Sequence, residues 1–193
     1  MKTLIDHLSQ YADYHRDPRN IHTHFVGVPM IMFAVVLLLS RPVWTVGGLP
    51  LSPALFCALA ACLFYFRLDA RFGLAMAGLL AAMLAVAQWL AVQTLAVQTL
   101  AVQTLAVQTL AVWLGAGVGL FVVGWVIQFV GHYYEGRKPA FVDDLVGLIV
   151  GPLFVVAEWA FALGLRKEVQ AAVEQRSGPV RLRTGAQAAA HPQ

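Results

Sequence analysis

From Phe72 to Gly131 the chain runs for 60 residues without one charged side chain. At 1.5 Å per residue a single helix of that length would extend roughly 90 Å, about three bilayer cores. The stretch must therefore hold two membrane-spanning helices, about 72–92 and 111–131. Between them Leu-Ala-Val-Gln-Thr occurs four times without variation, at 90–94, 95–99, 100–104 and 105–109. A five-residue step turns a helix by about 140°, so Gln93, Gln98, Gln103 and Gln108 spray around the axis and form no polar face. The repeat lacks Gly and Pro and reads as a tandem expansion that extends both helices, with the position of the turn left open.

Composition agrees with a membrane protein. Only 12% of residues are charged, where soluble domains carry about 25%, and the mean hydropathy is +0.71. The net charge of +3 is small and dispersed, which gives no reason to expect nucleic acid. Residues 1–23 are polar and lack the short apolar core of a signal peptide. Cys57 and Cys62 lie five apart inside an apolar run and read as packing residues.

The expected architecture is all-α: a polytopic transmembrane bundle of four full spans plus a broken fifth hydrophobic segment. Leu4, Leu8 and Tyr11 repeat at helical spacing, predicting an N-terminal amphipathic helix over 3–15 lying on the membrane surface. Asp17-Pro18 stops it, and Asn20 is placed to cap the first span, about 22–39, which Pro29 would kink. The second span covers about 52–66, after a loop containing Gly47-Gly48. The last apolar run, Leu145–Leu165, is interrupted at Gly151-Pro152. Residues 1–176 form one integral-membrane domain, and 177–193 read as a disordered tail.

With four spans before residue 132, Arg16, Arg19, Arg67, Arg71, Arg137 and Lys138 all fall on one side, which is then cytoplasmic. The basic tail wants the same side, and a re-entrant hairpin broken at Gly151-Pro152 would satisfy it. A fifth full span with the tail outside is the alternative. Either way the chain is a multi-pass integral membrane protein, of the cytoplasmic membrane in a bacterium or the endoplasmic reticulum in a eukaryote.

That topology brings two polar segments together: His15-Arg-Asp-Pro-Arg-Asn20-Ile-His22-Thr-His24-Phe-Val-Gly27-Val-Pro29 and Gln128-Phe-Val-Gly-His132-Tyr-Tyr-Glu135-Gly-Arg-Lys-Pro139. His15, His22, His24, His132 and Glu135 reach one boundary, and His132 and Glu135 share a helix face. Histidines with a carboxylate and open positions are the ligand set of non-haem Fe(II) oxygenases. His22 is the weakest of these, lying about 200° around the helix from His24. His7 reads as a surface group. Glu158, ionisable within an apolar run, needs a partner, as a metal ligand or as a group orienting a histidine. Arg137 and Lys138 read as headgroup anchors or as receivers of an anionic substrate head.

The pattern His15-x4-Asn20-x3-His24-x2-Gly27-x-Pro29, joined to Gln128-Phe-x-Gly-His132-x2-Glu135-Gly-Arg-x-Pro139-Ala, resembles the membrane-embedded 2-hydroxy fatty acid dioxygenases. That family is named for converting phytosphingosine to odd-chain fatty acids. The resemblance covers about residues 3–166, including the Pro152…Glu158 segment; the repeat at 90–109 and the tail depart from it. It implies Fe(II) as cofactor and O2 as co-substrate. It also implies an α-oxidation that shortens a 2-hydroxy fatty acid by one carbon on the cytoplasmic face, with the acyl tail among membrane lipid. His15, His24 and His132 carry over as the iron histidines. Glu135 is then a further ligand or catalytic group, and Asn20, Arg137 and Lys138 are substrate-binding. Chain-length preference and oligomeric state stay open. Two other classes compete: a haem protein with His24 and His132 as axial ligands, and a scaffold that binds lipid headgroups without turnover. Di-iron hydroxylases need more histidines than the motifs supply.

Overall fold

The structure, a computed structural model, describes residues 2–100 and 104–182, with the side chains of 91–110 and of 141 outside the description. Seven α-helices make up most of the described residues, and three or four helical segments are long and apolar enough to cross a membrane. They are α1 (Leu4–Ala12), α2 (Pro18–Leu39), α3 (Pro53–Leu68), α4 (Ala70–Leu100), α5 (Thr104–Glu135), α6 (Gly147–Ala162) and α7 (Lys167–Ser177).

Local sequence sets these boundaries. Thr3 and Asp6 form a reciprocal capping box on α1. Asp17, not Asn20, caps α2: its carboxylate accepts from the Arg19 N–H, and Pro18 takes the first helical position, where a missing N–H costs nothing. Asn20 is thereby released for another task. The expected loop after α2 contains a small antiparallel hairpin, β1 (Trp44–Val46) and β2 (Leu49–Leu51). Gly47 and Gly48 both have positive φ, +58° and +82°, which a two-residue hairpin turn demands.

Three helical segments reach membrane length: α2, Ala70–Leu90 within α4, and Ala111–Glu135 within α5. Ser52 caps α3 at one end and Asp69 closes it at the other. The 16 residues between them would rise roughly 24 Å, short of the ~30 Å hydrocarbon core. The count of four full spans is therefore not reproduced by helix length. The repeat is helical on both sides of residues 101–103, extending α4 to Leu100 and α5 back to Thr104, and the turn itself lies outside the described residues.

Two expectations about the ends are corrected. The last apolar run does not break at Gly151-Pro152, because α6 passes through Pro152 without interruption. One lost N–H is tolerated where neighbouring helices pack around it. Gly151 is needed there for a different reason, since a Cβ would meet the Tyr11 hydroxyl. The break comes later, at Gly164 with φ +74°, where α6 and α7 meet at a 116° bend. The apolar face of α1, moreover, is not spent on lipid: Leu4, Leu8 and Tyr11 are buried in a cluster with Leu153, Phe154, Val169 and Val173 of α6 and α7.

Antiparallel α2 and α5 form the most extensive helix pair. Gly117, Gly124 and Gly131 recur every seven residues along α5, facing Leu38, then Ile31 and Gly27, then Thr23 and Asn20. Small residues at that period let two helix backbones approach closely. The seam brings the start of α2 beside the end of α5. At the same end, Arg166 makes a bidentate pair with Asp69 at 2.9 Å, tying the α6–α7 bend to the α3–α4 turn. Of the tail, Ser177 donates to the Ser9 carbonyl and the Arg181 N–H to the Arg16 carbonyl, while 183–193 lie outside the described residues.

Candidate metal centre

Where α1 ends, the chain turns through Asp13–Asp17 and enters α2, which lays His15 over the first turns of that helix. His24 comes from the second turn of α2 and His132 from the last turn of α5. All three are buried, and one nitrogen of each lies within 4.8 Å of the others. Ring centroids stand 4.4 Å apart for His15–His24, 4.9 Å for His15–His132 and 5.3 Å for His24–His132. His22 is exposed, with its ring against Phe25, and His7 sits by Phe64; neither joins the group.

Hydrogen bonds fix the chemistry of two rings. His15 Nδ1 lies 2.7 Å from the Tyr11 carbonyl, and His24 Nδ1 lies 2.9 Å from the Asn20 carbonyl. A carbonyl only accepts, so each Nδ1 donates and each Nε2 presents a lone pair. Yet the two Nε2 atoms are 3.0 Å apart. Lone pairs that close need a shared cation, a proton or a metal ion. Burial, reinforced by His24 and His132, holds His15 well below the ordinary imidazole value and disfavours the proton. His132 adds a buried Nδ1 with no hydrogen-bond partner among the described residues. Neutral imidazoles with carbonyl-anchored N–H groups are the donor set for a borderline transition metal, so the residues fit such an ion. Tyr11 stacks flat on His15, with centroids 4.1 Å apart, and holds the ring from the other side.

Glu135 stands elsewhere than expected. It is fully buried, but its carboxylate accepts from the Arg16 N–H at 3.0 and 3.1 Å, the Asp17 N–H at 2.8 Å and Asn20 Nδ2 at 3.1 Å. It clamps the α1–α2 turn instead of joining the three-histidine group. Asn20 is engaged in the same turn: Nδ2 also donates to the Tyr14 carbonyl, and its own carbonyl orients His24. Gly136, with φ +67°, turns the chain away after Glu135. Arg137 consequently donates to the Asp13 carbonyl and Lys138 pairs with Asp143 at 2.7 Å, both outside the cavity. Glu158 pairs with Arg16 at 3.5 Å rather than with a histidine.

A cavity of about 80 Å³ opens beside the centre, lined by His24, His132, Tyr11 and Gln128 and by apolar residues of α2, α5 and α6. An apolar groove of about 370 Å³ adjoins it and shares Ile31, Met32, Trp125, Leu148 and Pro152. The positioning roles of Tyr11, Arg16 and Asp17 had no signal in the sequence beyond proximity to the histidines. Gln128 did have one: it is a lone amide in an apolar run, four residues before His132.

Fold and site together define a helical protein with membrane-length apolar helices and a buried three-histidine centre of metal-binding type. Residues 1–163 match the family model described as "2-hydroxy-palmitic acid dioxygenase Mpo1-like". The chain belongs to this Mpo1-like family. It is 32% identical over 176 residues, 89% of each chain, to the 2-hydroxy-palmitic acid dioxygenase MPO1 of Saccharomyces cerevisiae. No solved structure matches it.

Proposed function

We propose that this protein is an Fe(II)-dependent dioxygenase that converts a 2-hydroxy fatty acid to the acid one carbon shorter. One observation carries the reading: a buried triad whose two Nε2 lone pairs converge, in a chain of a family described by that activity. His15, His24 and His132 would hold the iron, which when bound supplies the one-electron chemistry with O2 that no side chain offers. The protein's own part is positional. The Tyr11 and Asn20 carbonyls keep two imidazoles in the ligating tautomer, and Glu135 fixes the turn that delivers His15. Apolar walls exclude water from the cavity. The acyl chain lies in the adjoining groove between α2, α3 and α5, which leaves its polar head at the histidines. The Arg16, Arg67 and Arg71 side of the bundle supports a cytoplasmic orientation of this end.

The haem alternative fits the geometry poorly. A porphyrin bound between His24 and His132 would have to part rings that already pack within 5.3 Å of each other. The decisive experiment combines metal analysis of the purified protein with incubation with 2-hydroxypalmitate, O2 and Fe(II). About one iron per chain and a product one carbon shorter are expected, and both are lost in His132→Ala. A His132→Ala protein with full turnover, or a purified protein with a Soret band, would overturn the proposal.

A further inference from the structure

The cavity contains one polar side chain that the reading above leaves unused. Gln128 is 3% exposed and lies four residues before His132 on α5, on the same helix face one turn deeper. Neither Oε1 nor Nε2 has a hydrogen-bond partner among the described residues. Buried amides in membrane bundles ordinarily bridge helices, and this one bridges none. Space has nonetheless been made for it, because a Cβ at Gly27 of α2 would collide with its Nε2. The amide is thus buried and sterically accommodated, it lines the same cavity as His24 and His132, and neither its donor nor its acceptor is matched among the described residues.

We propose that Gln128 recognises the 2-hydroxyl group of the substrate, an inference that rests on the dioxygenase reading and names how its site selects the substrate. An amide presents a carbonyl that needs a donor and an NH2 that needs an acceptor. A carboxylate only accepts, so it leaves Oε1 orphaned, whereas an alcohol serves both halves. A fatty acid without the 2-hydroxyl would bury Oε1 unsatisfied, and sites built around a substrate hydroxyl reject analogues that lack it. The groove beyond Trp125 is apolar and serves either acid equally, so the discrimination belongs to the polar end of the cavity, where Gln128 is the side chain with both a donor and an acceptor unmatched among the described residues.

The test compares full-length protein in detergent, metal-free and iron-loaded, with Gln128→Met and Gln128→Ala. Calorimetric titration with 2-hydroxypalmitate and with palmitate reads the preference independently of turnover. Wild type should favour the hydroxy acid by about tenfold or more. Both variants should lose that preference through weaker binding of the hydroxy acid alone, with iron content and melting temperature retained. In the loaded enzyme the loss should appear in KM more than in kcat. A wild type that binds both acids equally, or a folded variant of either kind that keeps the preference, overturns the inference. Wild-type protein that shortens no 2-hydroxy acid at all would instead fail the dioxygenase reading.

Discussion

Glu135 decides how the N-terminal ligand reaches its site. Its two oxygens gather the N–H groups of Arg16 and Asp17 and the Asn20 amide, which are the donors the chain exposes on turning from α1 into α2. Hydrogen bonds to a buried carboxylate contribute about 1.5–3 kcal/mol each. Glu135→Gln should therefore lower thermal stability in detergent by roughly 2 kcal/mol while iron stoichiometry stays near wild type. Loss of iron at unchanged stability would instead return the carboxylate to the ligand set. His15 carries a second expectation. It is neutral when folded, whereas the unfolded chain takes up a proton below about pH 6.5. The unfolded state then binds more protons, so stability of the metal-free protein is level above about pH 6.5. Below it stability falls, by up to about 1.4 kcal/mol per pH unit for this group. Melting temperatures between pH 8 and pH 5 check the sign, and a flat profile would mean His15 is not buried. At this scale the three histidines were legible because a polar ring at the edge of an apolar run has few structural reasons to be there. Glu135 was not, since a carboxylate near histidines suits either a metal or a backbone turn. The contacts of Arg137 with the Asp13 carbonyl and of Lys138 with Asp143 were not legible, because the left-handed backbone of Gly136 that precedes them leaves no mark in a charge pattern.

Among the elements, the α2–α5 pair sets the distance between the two halves of the centre. Gly124 meets both the Ile31 side chain and the Gly27 backbone, so it has no room for a side chain. Gly124→Leu should force the helices apart, costing about 1–3 kcal/mol as overpacking. It should also reduce iron occupancy although it touches no ligand, as thermal melts and metal analysis on the same preparation would show. Equal iron in the variant would mean that the seam does not position the site. The heptad of glycines is present in the sequence, but Gly115 and Gly119 flank its first member, and only packing against α2 separates the seam from its neighbours. Pro152 shows the opposite case. Its break signal is real for an isolated helix and is overridden where α6 packs against α1, α2 and α4.

For the whole molecule, the centre and the repeat lie at opposite ends of α5. From Thr109 to His132 the helix rises roughly 35 Å. Deleting two of the Leu-Ala-Val-Gln-Thr units should leave iron content and turnover within about twofold of wild type, because the seam holds the α5 end that carries His132 independently of the α4–α5 connection. An assay of the shortened chain against 2-hydroxypalmitate tests this, and a dead but folded deletion would assign the repeat a role. The helical bundle was legible from charge alone, whereas the packing of α1 against α6 and α7 was not, since an amphipathic stripe suits a protein neighbour as well as lipid. The ligands also have an order in time. Two of them leave the ribosome within the first 24 residues, and the third follows more than 100 residues later, in the last turn of α5. A nascent chain therefore holds no complete centre until α5 is made, so a chain stalled or truncated before His132 should carry no iron even when its first helices are inserted.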